Sequence, residues 1–206
     1  MKIARLYYPV KVLGPGNRVG IWTVGCHRRC KGCMTPELWD DSKVPDMRVE
    51  NVIEAIKIAS KKGSVDGITI SGGEPLNQSK DLKALLELIH SELGIEDIII
   101  FTGYDLEEST ELRWVLEKAT LVVDGTYDDS RNRGEVLRGS DNQRFYYKDD
   151  KWREYYEAYM KENDGKMRGQ VFRVSNGVDS IGIHQKGFRE EVFDRLLEKG
   201  ITRVNK

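Results

Sequence analysis

Three cysteines lie close together near the start of the chain. Cys26, Cys30 and Cys33 follow the spacing C-x3-C-x2-C. Three thiolates on one short loop can bind three corners of a [4Fe–4S] cubane and leave one iron without a protein ligand. Because that iron keeps a free coordination position, it can bind a substrate as well as pass electrons. The basic residues between the cysteines are expected to favour the thiolate forms.

Two other chemistries fit the same residues. A structural zinc site would need a fourth ligand, which His27 or His184 could supply. A thiol redox pair at Cys30 and Cys33 would leave Cys26 without a role. The ligand type and spacing favour an iron–sulfur site over zinc, and zinc over a redox pair.

A second candidate site is the sequence SGGEP, which begins at Ser71. Gly72 and Gly73 would let a ligand approach the backbone and would expose N–H groups, and Glu74 adds a carboxylate. Such a turn could hold the ammonium or carboxylate group of an amino acid. An ordinary turn between a strand and a loop remains the alternative.

Strands and helices that alternate along the chain are predicted to position these residues. Short apolar runs predict strands, and apolar residues at helical spacing predict helices. The strands are predicted over residues 18–24, 67–71, 97–102 and 120–124. The helices are predicted over residues 46–62, 79–93 with Ser79 as its cap, and 106–119. The first eighteen residues are interpreted as an irregular or hairpin-like segment. This alternation is typical of an α/β fold with parallel strands and right-handed crossovers.

The unusual residues all follow predicted strands. Cys26 follows the first strand, the SGGEP turn ends the second, Gly103 and Tyr104 follow the third, and Gly125 follows the fourth. Parallel α/β sheets bind ligands at the carboxyl ends of their strands, where the loops converge. We therefore expect these residues to meet at one rim.

The last third of the chain has a different pattern. Residues 126–145 are predicted to form a long polar loop or lid, residues 148–165 a charged helix, and residues 188–199 a short helix. Residues 171–183 are predicted to form a hairpin around Ser175, Asn176 and Gly177. An aromatic stripe at helical spacing is interpreted as packing. Its members are Trp152, Tyr155, Tyr156 and Tyr159. The predicted organisation is a core over residues 1–146 and a C-terminal extension over 147–206.

Composition limits the possible functions. The net charge of −1 gives no support for binding nucleic acid or an anionic membrane. No signal peptide or membrane-spanning apolar run is seen, so a cytoplasmic location is expected. Three cysteines within eight positions argue against a disulfide framework.

The ordered motifs resemble the radical S-adenosylmethionine superfamily. Within it, the segments GCHRRCKGC, SGGEPL, FTGYDLEE, LVVDG and RGSDNQRF are similar to those of the activating proteins of anaerobic ribonucleotide reductases. The resemblance covers about residues 15–146 and implies a partial, open parallel β/α barrel. This chain differs in reading Met34-Thr35-Pro36 where the activators usually carry Asn, and in its tail of roughly sixty residues.

The resemblance also implies roles for individual residues. Cys26, Cys30 and Cys33 would ligate the [4Fe–4S] cluster. S-adenosylmethionine would be contacted by Gly72, Gly73 and Glu74, by Gly32 and Met34 beside the third cysteine, and by Thr102, Gly103 and Tyr104. Arg138, Asn142 and Gln143 match the closing segment of the family without an individual role, and the role of His184 is open.

The implied activity is the reductive cleavage of S-adenosylmethionine to a 5′-deoxyadenosyl radical. This radical would generate a glycyl radical on an anaerobic ribonucleotide reductase-like partner, with flavodoxin or ferredoxin as the reductant. Two alternatives stay open at this point. One is a radical enzyme that modifies a small molecule or peptide, and the other is a non-catalytic metal-binding module.

Overall fold

A computed structural model describes residues 1–166, 169–175 and 177–200, and only the backbone of residues 189 and 193. Within this part of the chain, six strands form one sheet in the order β1 to β6. They are β1 (Ile3–Val10), β2 (Arg18–Thr23), β3 (Gly67–Gly72), β4 (Ile98–Phe101), β5 (Leu121–Asp124) and β6 (Arg144–Tyr147). Strands β2 to β5 are parallel, whereas β1 and β6 pair antiparallel at the two edges. The predicted α/β class and the four parallel strands are confirmed.

Helices cover one face of this sheet. They are α1 (Val49–Ser60), α2 (Ser79–Leu88), which continues as a π-helical turn over Ile89–Leu93, and the single turn α3 (Val115–Lys118). Isoleucines of the sheet, including Ile21, Ile70 and Ile100, form one buried cluster with the apolar residues of α1 and α2. Gly94 ends the α2 segment in the left-handed conformation at φ 62°, as its position predicted.

Three local predictions are corrected. Ser79 is the first residue of α2 rather than its cap, and its hydroxyl donates to the carbonyl of Leu76 at 2.6 Å. The helix predicted over residues 106–119 is reduced to two short turns. Ser109 interrupts it with the non-helical backbone angles φ −97° and ψ 67°. The N–H of Leu106 donates to the Asp124 carboxylate at 2.9 Å, which ties the start of the segment to the sheet. The loop predicted over residues 126–145 ends in strand β6.

After β6, the chain forms a helix, a hairpin and a second helix, of which the first helix and the hairpin pack on the other face of the sheet. They are α4 (Asp150–Glu162), the hairpin of β7 (Gly169–Val174) and β8 (Gly177–Gly182), and α5 (Phe188–Glu198). The predicted hairpin and helices are confirmed, although Asn176 in the turn lies outside the described residues. From α4, Tyr156 is fully buried and Trp152 and Tyr159 pack beside it, as the packing interpretation of the aromatic stripe predicted. The fourth member of the stripe, Tyr155, is exposed.

The hairpin lies over β1 and β2. Ile181 is buried with Trp22 and Leu38, and the rings of Tyr7 and Phe172 stack at 4.6 Å between centroids. The Gln170 amide donates to the carbonyl of Pro9 at 2.6 Å. Among the described residues, no helix is both long and apolar enough to cross a lipid bilayer.

Candidate metal and cofactor site

The groups predicted to meet at the carboxyl ends of the strands do so. A cavity of about 230 Å³ opens at this rim. Its wall includes Cys26, Cys30, Cys33, Met34, Gly73, Glu74, Thr102, Gly103 and Gly125. These residues come from four separate loops, and each loop follows one of the parallel strands β2 to β5. The arrangement therefore brings thiol, carboxylate and hydroxyl groups together in the wall of one open cavity.

All three cysteines are free thiols. Burial raises the pKa of Cys30, and the nearby Cys33 and Cys26 raise it further, while Arg28 has only a small opposing effect. Arg28 thus lowers the pKa of Cys30 as expected of a basic neighbour, but burial and the two other cysteines outweigh this effect. Three thiolates that share a cavity repel one another, so a bound cation is the natural way to hold all three ionised.

Backbone hydrogen bonds fix the shape of the cysteine loop. The N–H of Gly25 donates to the carbonyl of Leu38 at 2.8 Å, and the N–H of Cys26 donates to Trp39 at 3.1 Å. Inside the loop, the N–H of Cys33 donates to the carbonyl of Cys30 at 3.2 Å. Because the two ends of the loop are joined in this way, the cysteines are presented on a closed turn rather than on an open segment.

The two glycines of the SGGEP turn are required by the chain itself. A Cβ on Gly72 would lie 2.3 Å from the Thr23 carbonyl, and one on Gly73 would lie 2.6 Å from the Gly25 carbonyl. The N–H groups of Gly73 and Glu74 donate to these same carbonyls at 2.8 and 2.9 Å. The expectation that these N–H groups are exposed to a ligand is therefore wrong. The glycines let the end of β3 approach the residue before Cys26.

Glu74 is a buried acceptor at the centre of the rim. One carboxylate oxygen accepts from the N–H of Leu76 at 3.0 Å and from the hydroxyl of Thr102 at 2.7 Å, and the other accepts from the N–H of Gly103 at 2.7 Å. Burial raises the pKa of Glu74, and these hydrogen bonds lower it by less. A carboxylate offers about four acceptor positions, so one position remains for a further donor.

Arg28 also approaches Glu74, which the sequence did not indicate. Its guanidinium lies 4.3 Å from the centre of the Tyr104 ring and donates to the Thr126 hydroxyl at 2.8 Å. Its buried Nε has no hydrogen-bond partner among the described residues and lies 3.9 Å from the Glu74 carboxylate. A buried donor without a partner in this wall is consistent with a polar ligand that supplies an acceptor.

Three predicted residues lie outside the cavity wall. A Cβ on Gly32, whose φ is 74°, would lie 2.7 Å from the Asp129 carboxylate, so this glycine allows the cysteine loop to pack on the loop after β5. Gly72 faces β2, as described above. Tyr104 donates from its hydroxyl to Asn77 at 2.9 Å and carries Arg28 on its ring.

The closing segment holds the loop after β5 in place. The amide of Gln143, which lines the cavity, donates to the Gly125 carbonyl at 2.9 Å and accepts from the Gly139 N–H at 2.8 Å. The Asn142 amide donates to the carbonyl of Thr126 at 2.8 Å. Arg138 binds the carbonyl of Gln143 at 3.0 Å and pairs with Glu135. These contacts give all three residues of the closing segment a structural role.

The C-terminal hairpin supplies another part of the wall, which the sequence did not predict. Five consecutive residues, 180–184, line the cavity. His184 is buried, stacks on Phe188 at 3.9 Å between ring centres, and lies 3.2 Å from the Ser180 hydroxyl. Its carbonyl accepts from the Asn132 amide at 3.0 Å. Burial lowers the pKa of His184.

Of the two histidines considered as zinc ligands, His184 lines the cavity and His27 is exposed on the cysteine loop. Among the described residues, no group of three or more His, Cys, Asp or Glu side chains is arranged to hold a single metal ion. In an iron–sulfur cubane each thiolate binds a different iron, so its ligands are spaced more widely than those of one ion. The free thiols, the remaining acceptor position on Glu74 and the unpaired Arg28 Nε fit a cluster with a polar cofactor beside it.

Comparison with known proteins agrees with this arrangement. The sequence profile of the family described as "4Fe-4S single cluster domain" matches residues 12–146. An anaerobic ribonucleoside-triphosphate reductase-activating protein of Salmonella typhimurium is 33% identical over 66% of this chain and 93% of its own length. The protein of that name from Enterobacteria phage T4 is 28% identical over 71% of this chain and 94% of its length. A pyruvate formate-lyase-activating enzyme of Clostridium pasteurianum is 30% identical over 63% of this chain and 56% of its own length. The chain therefore belongs to the 4Fe–4S single-cluster domain family within the radical S-adenosylmethionine superfamily.

Proposed function

We propose that this protein is a radical S-adenosylmethionine enzyme that generates a glycyl radical on an anaerobic ribonucleotide reductase-like partner. The observation that carries the proposal is the convergence of three free thiols with Glu74 and Thr102 in one cavity. The names of the relatives support the assignment, because they are activating proteins for an anaerobic reductase and for pyruvate formate-lyase.

Cys26, Cys30 and Cys33 are the proposed ligands of a [4Fe–4S] cluster. When it is bound with S-adenosylmethionine, this cluster supplies the electron that cleaves the cofactor to a 5′-deoxyadenosyl radical, which removes a hydrogen atom from the substrate. The protein holds the thiols on a closed turn and partly excludes water from them, since Cys26 is buried and the other two are half-buried. A protein site contributes orientation and electrostatics to such chemistry, while the cofactors break the bonds.

Glu74 is the proposed acceptor for the amino group of S-adenosylmethionine. Its three existing hydrogen bonds hold the carboxylate in place and leave one acceptor position. Gly72 and Gly73 support it indirectly by bringing the turn close to β2, and Thr102 and Gly103 orient it by donating to it. Met34 lines the cavity and is a proposed direct contact.

Gly32 and Tyr104 are proposed to act indirectly, by positioning other residues. Gly32 lets the cysteine loop approach Asp129. Tyr104 holds the Arg28 guanidinium on its ring, beside Glu74. Both roles concern the position of cofactor-binding groups rather than contact with the cofactor.

We further propose that the sheet is a partial, open β/α barrel of the superfamily type. Four parallel strands with helices on one face support this proposal. The proposed division into a core over residues 1–146 and an extension over 147–206 agrees with the end of the family match at residue 146. The proposed boundary falls within β6, so the core and the extension share an element.

The proposed reductant is flavodoxin or ferredoxin, and the proposed location is the cytoplasm. The clustered cysteines motivate the location, because a reducing cytosol keeps such residues as thiols. A one-electron donor is required because the thiol-ligated cluster must be reduced before each cleavage. Flavodoxin and ferredoxin are the classes of protein that provide single electrons at low potential.

The first test is anaerobic reconstitution of the full chain with iron and sulfide. With dithionite and S-adenosylmethionine, we expect about four irons per chain and release of 5′-deoxyadenosine. The single variants Cys26→Ala, Cys30→Ala and Cys33→Ala should each abolish the release, and Ser60→Ala on the exposed end of α1 is the matched control. Zinc in place of iron, together with intact S-adenosylmethionine, would instead establish a non-catalytic metal-binding module.

The second test concerns the substrate. Mixing the reduced enzyme with a candidate anaerobic reductase should give the EPR doublet of a glycyl radical, together with one deoxyadenosine per radical. An active cluster that cleaves S-adenosylmethionine but gives no doublet with any such partner would refute the assigned substrate.

One observation favours a second candidate function. The hairpin residues 180–184 close part of the cavity that a macromolecular substrate would have to enter. A radical enzyme that acts on a small molecule or a short peptide would suit a cavity of this kind. Deoxyadenosine release that depends on a small substrate, without any protein partner, would support the second candidate over the first.

A further inference from the structure

The hydroxyl of Thr35 is not used in the way its position suggests. Thr35 precedes the 3₁₀ turn Pro36–Leu38 and occupies its N-cap position. A threonine at an N-cap usually accepts a hydrogen bond from an N–H of the first turn through its side chain. Here the side chain makes no capping hydrogen bond, and the N–H of Leu38 donates to the backbone carbonyl of Thr35 at 3.0 Å. The hydroxyl is therefore available for another contact.

This hydroxyl lies between the cysteine loop and the SGGEP turn. It donates to the carbonyl of Gly72 at 3.3 Å, and it lies 3.9 Å from the sulfur of Cys33. The second distance is within the range of a hydrogen bond to sulfur, and either atom could be the donor. Thr35 thus connects a proposed cluster ligand with the turn that carries Glu74.

The protonation state of Cys33 decides where the hydroxyl hydrogen points. A hydroxyl has one hydrogen to donate. A metal-bound thiolate sulfur keeps part of its negative charge, and hydrogen bonds to ionised acceptors are stronger than those to neutral carbonyls. When Cys33 is ionised by ligation, donation to its sulfur is therefore favoured over donation to Gly72.

We propose that Thr35 donates a hydrogen bond to the Cys33 sulfur in the loaded site and thereby raises the reduction potential of the cluster. This inference rests on the proposed function, because it requires Cys33 to be a cluster ligand. Reduction adds one electron to the cluster and its thiolates, so a donor at a sulfur stabilises the reduced form more than the oxidised form. Thr35 is in this sense a positioning and tuning residue rather than a catalytic residue.

The test compares three reconstituted full-length proteins, the wild type, Thr35→Val and Thr35→Ser. Valine has nearly the shape of threonine without the hydroxyl, and serine keeps the hydroxyl as the matched control. Each protein is titrated with dithionite in the absence of S-adenosylmethionine, and the EPR signal of the reduced cluster is measured. We expect Thr35→Val to lower the equilibrium constant for reduction roughly tenfold, which is about 59 mV for a one-electron couple. Thr35→Ser should stay close to the wild type.

Iron content, measured before the titration, distinguishes a failure of the proposed function from a failure of the proposed role of Thr35. A wild type that binds no iron overturns the proposed function. A wild type and a Thr35→Val variant that both bind four irons and share one potential overturn the role of Thr35 alone.

Thr35→Ala is a second variant without a hydroxyl. It serves if valine disturbs the fold, because alanine is smaller than threonine. A potential lowered in Thr35→Ala but not in Thr35→Ser supports the inference. Loss of iron from both hydroxyl-free variants, with normal iron in Thr35→Ser, contradicts it, because the hydroxyl would then be needed for assembly rather than for the potential.

Discussion

Replacing Glu74 with glutamine most directly tests the role of the buried carboxylate at the rim. The wild-type carboxylate accepts from two backbone N–H groups, those of Leu76 and Gly103, on different oxygens. Glutamine has one oxygen and one NH₂ group, so in either orientation the NH₂ faces one of these N–H groups. A buried donor left without an acceptor costs about 1–3 kcal/mol. We expect the free energy of unfolding of the metal-free protein to fall by that amount.

The same change should weaken the binding of S-adenosylmethionine. Hydrogen bonds to charged groups contribute about 1.5–3 kcal/mol, and each 1.4 kcal/mol is about a factor of ten in affinity. Glu74→Gln should therefore raise the Kd for S-adenosylmethionine about 10- to 150-fold, as measured by equilibrium dialysis of the reconstituted enzyme. The matched control is Glu92→Gln, which removes an exposed carboxylate paired with Lys57 at 2.8 Å. A normal cluster content with an unchanged Kd in Glu74→Gln would refute the proposed role of this carboxylate.

The stability comparison must be made at several pH values. Burial raises the pKa of Glu74, so the neutral carboxyl group is favoured more in the folded protein than in the unfolded chain. Its contribution to stability is then complete below the pKa of the unfolded chain and is lost as the pH rises through the folded pKa. The difference in unfolding free energy between the wild type and Glu74→Gln should accordingly become smaller as the pH rises. A difference that grows with pH would show that the carboxylate is stabilised, rather than penalised, by its surroundings.

Three further outcomes are expected from chemical or thermal unfolding. Asp97→Ala leaves the fully buried Arg18 without its carboxylate partner at 2.7 Å and should cost about 3–5 kcal/mol. Gly73→Ala places a Cβ 2.6 Å from the Gly25 carbonyl and should cost about 1–3 kcal/mol, whereas Gly94→Ala, which meets no atom within 4 Å, should cost only the strain of its positive φ. Since burial lowers the pKa of His184, the wild type should lose stability as the pH falls from about 6.5 through the folded pKa, and His184→Asn should flatten this loss. If Asp97→Ala cost no more than a surface variant, the role of the buried ion pair would be contradicted. Equal costs for Gly73→Ala and Gly94→Ala would contradict the steric argument. Equal pH slopes with and without His184 would contradict the argument from its pKa.

The parallel strands could be predicted from the sequence because each is a short run rich in β-branched and other apolar residues, most of which are buried. Of the two edge strands, β1 agrees with the hairpin-like interpretation of the first eighteen residues, because it pairs antiparallel with β2. Strand β6 could not be predicted, since its residues are only partly buried. Pairing with β5, rather than local pattern, determines it. The failed prediction of a helix over residues 106–119 has a local origin, because Ser109 leaves the helical conformation at φ −97° and ψ 67°, directly before the short turn Thr110–Leu112.

The cavity residues that follow strands could likewise be predicted from their order in the chain. Arg28 over Tyr104, and Thr35 beside Gly72, depend on contacts between segments distant in sequence. The position of Gln143 across from Gly125 depends on the return of the chain through β6. No periodicity or motif spacing carries this information, because it arises when the loops are packed against each other.

The hairpin of β7 and β8 affects access to the cavity, whereas the residues proposed to bind the cluster and the cofactor lie on other elements. The thiols and Glu74 lie within the family match, whereas residues 180–184 lie beyond its end at residue 146. In the described part of the chain, this two-stranded sheet shares no ladder with the six-stranded sheet. It is held by side-chain contacts, such as the Tyr7 and Phe172 stack, the Gln170 amide and the buried Ile181. The hairpin could therefore move away with its own backbone hydrogen bonds intact. The cost would be the loss of those contacts and of the contacts that Asp179 makes with Tyr7 and Arg5. Displacement of the hairpin would expose the apolar surface of Tyr7, Trp22 and Leu38 that Ile181 and Phe172 cover.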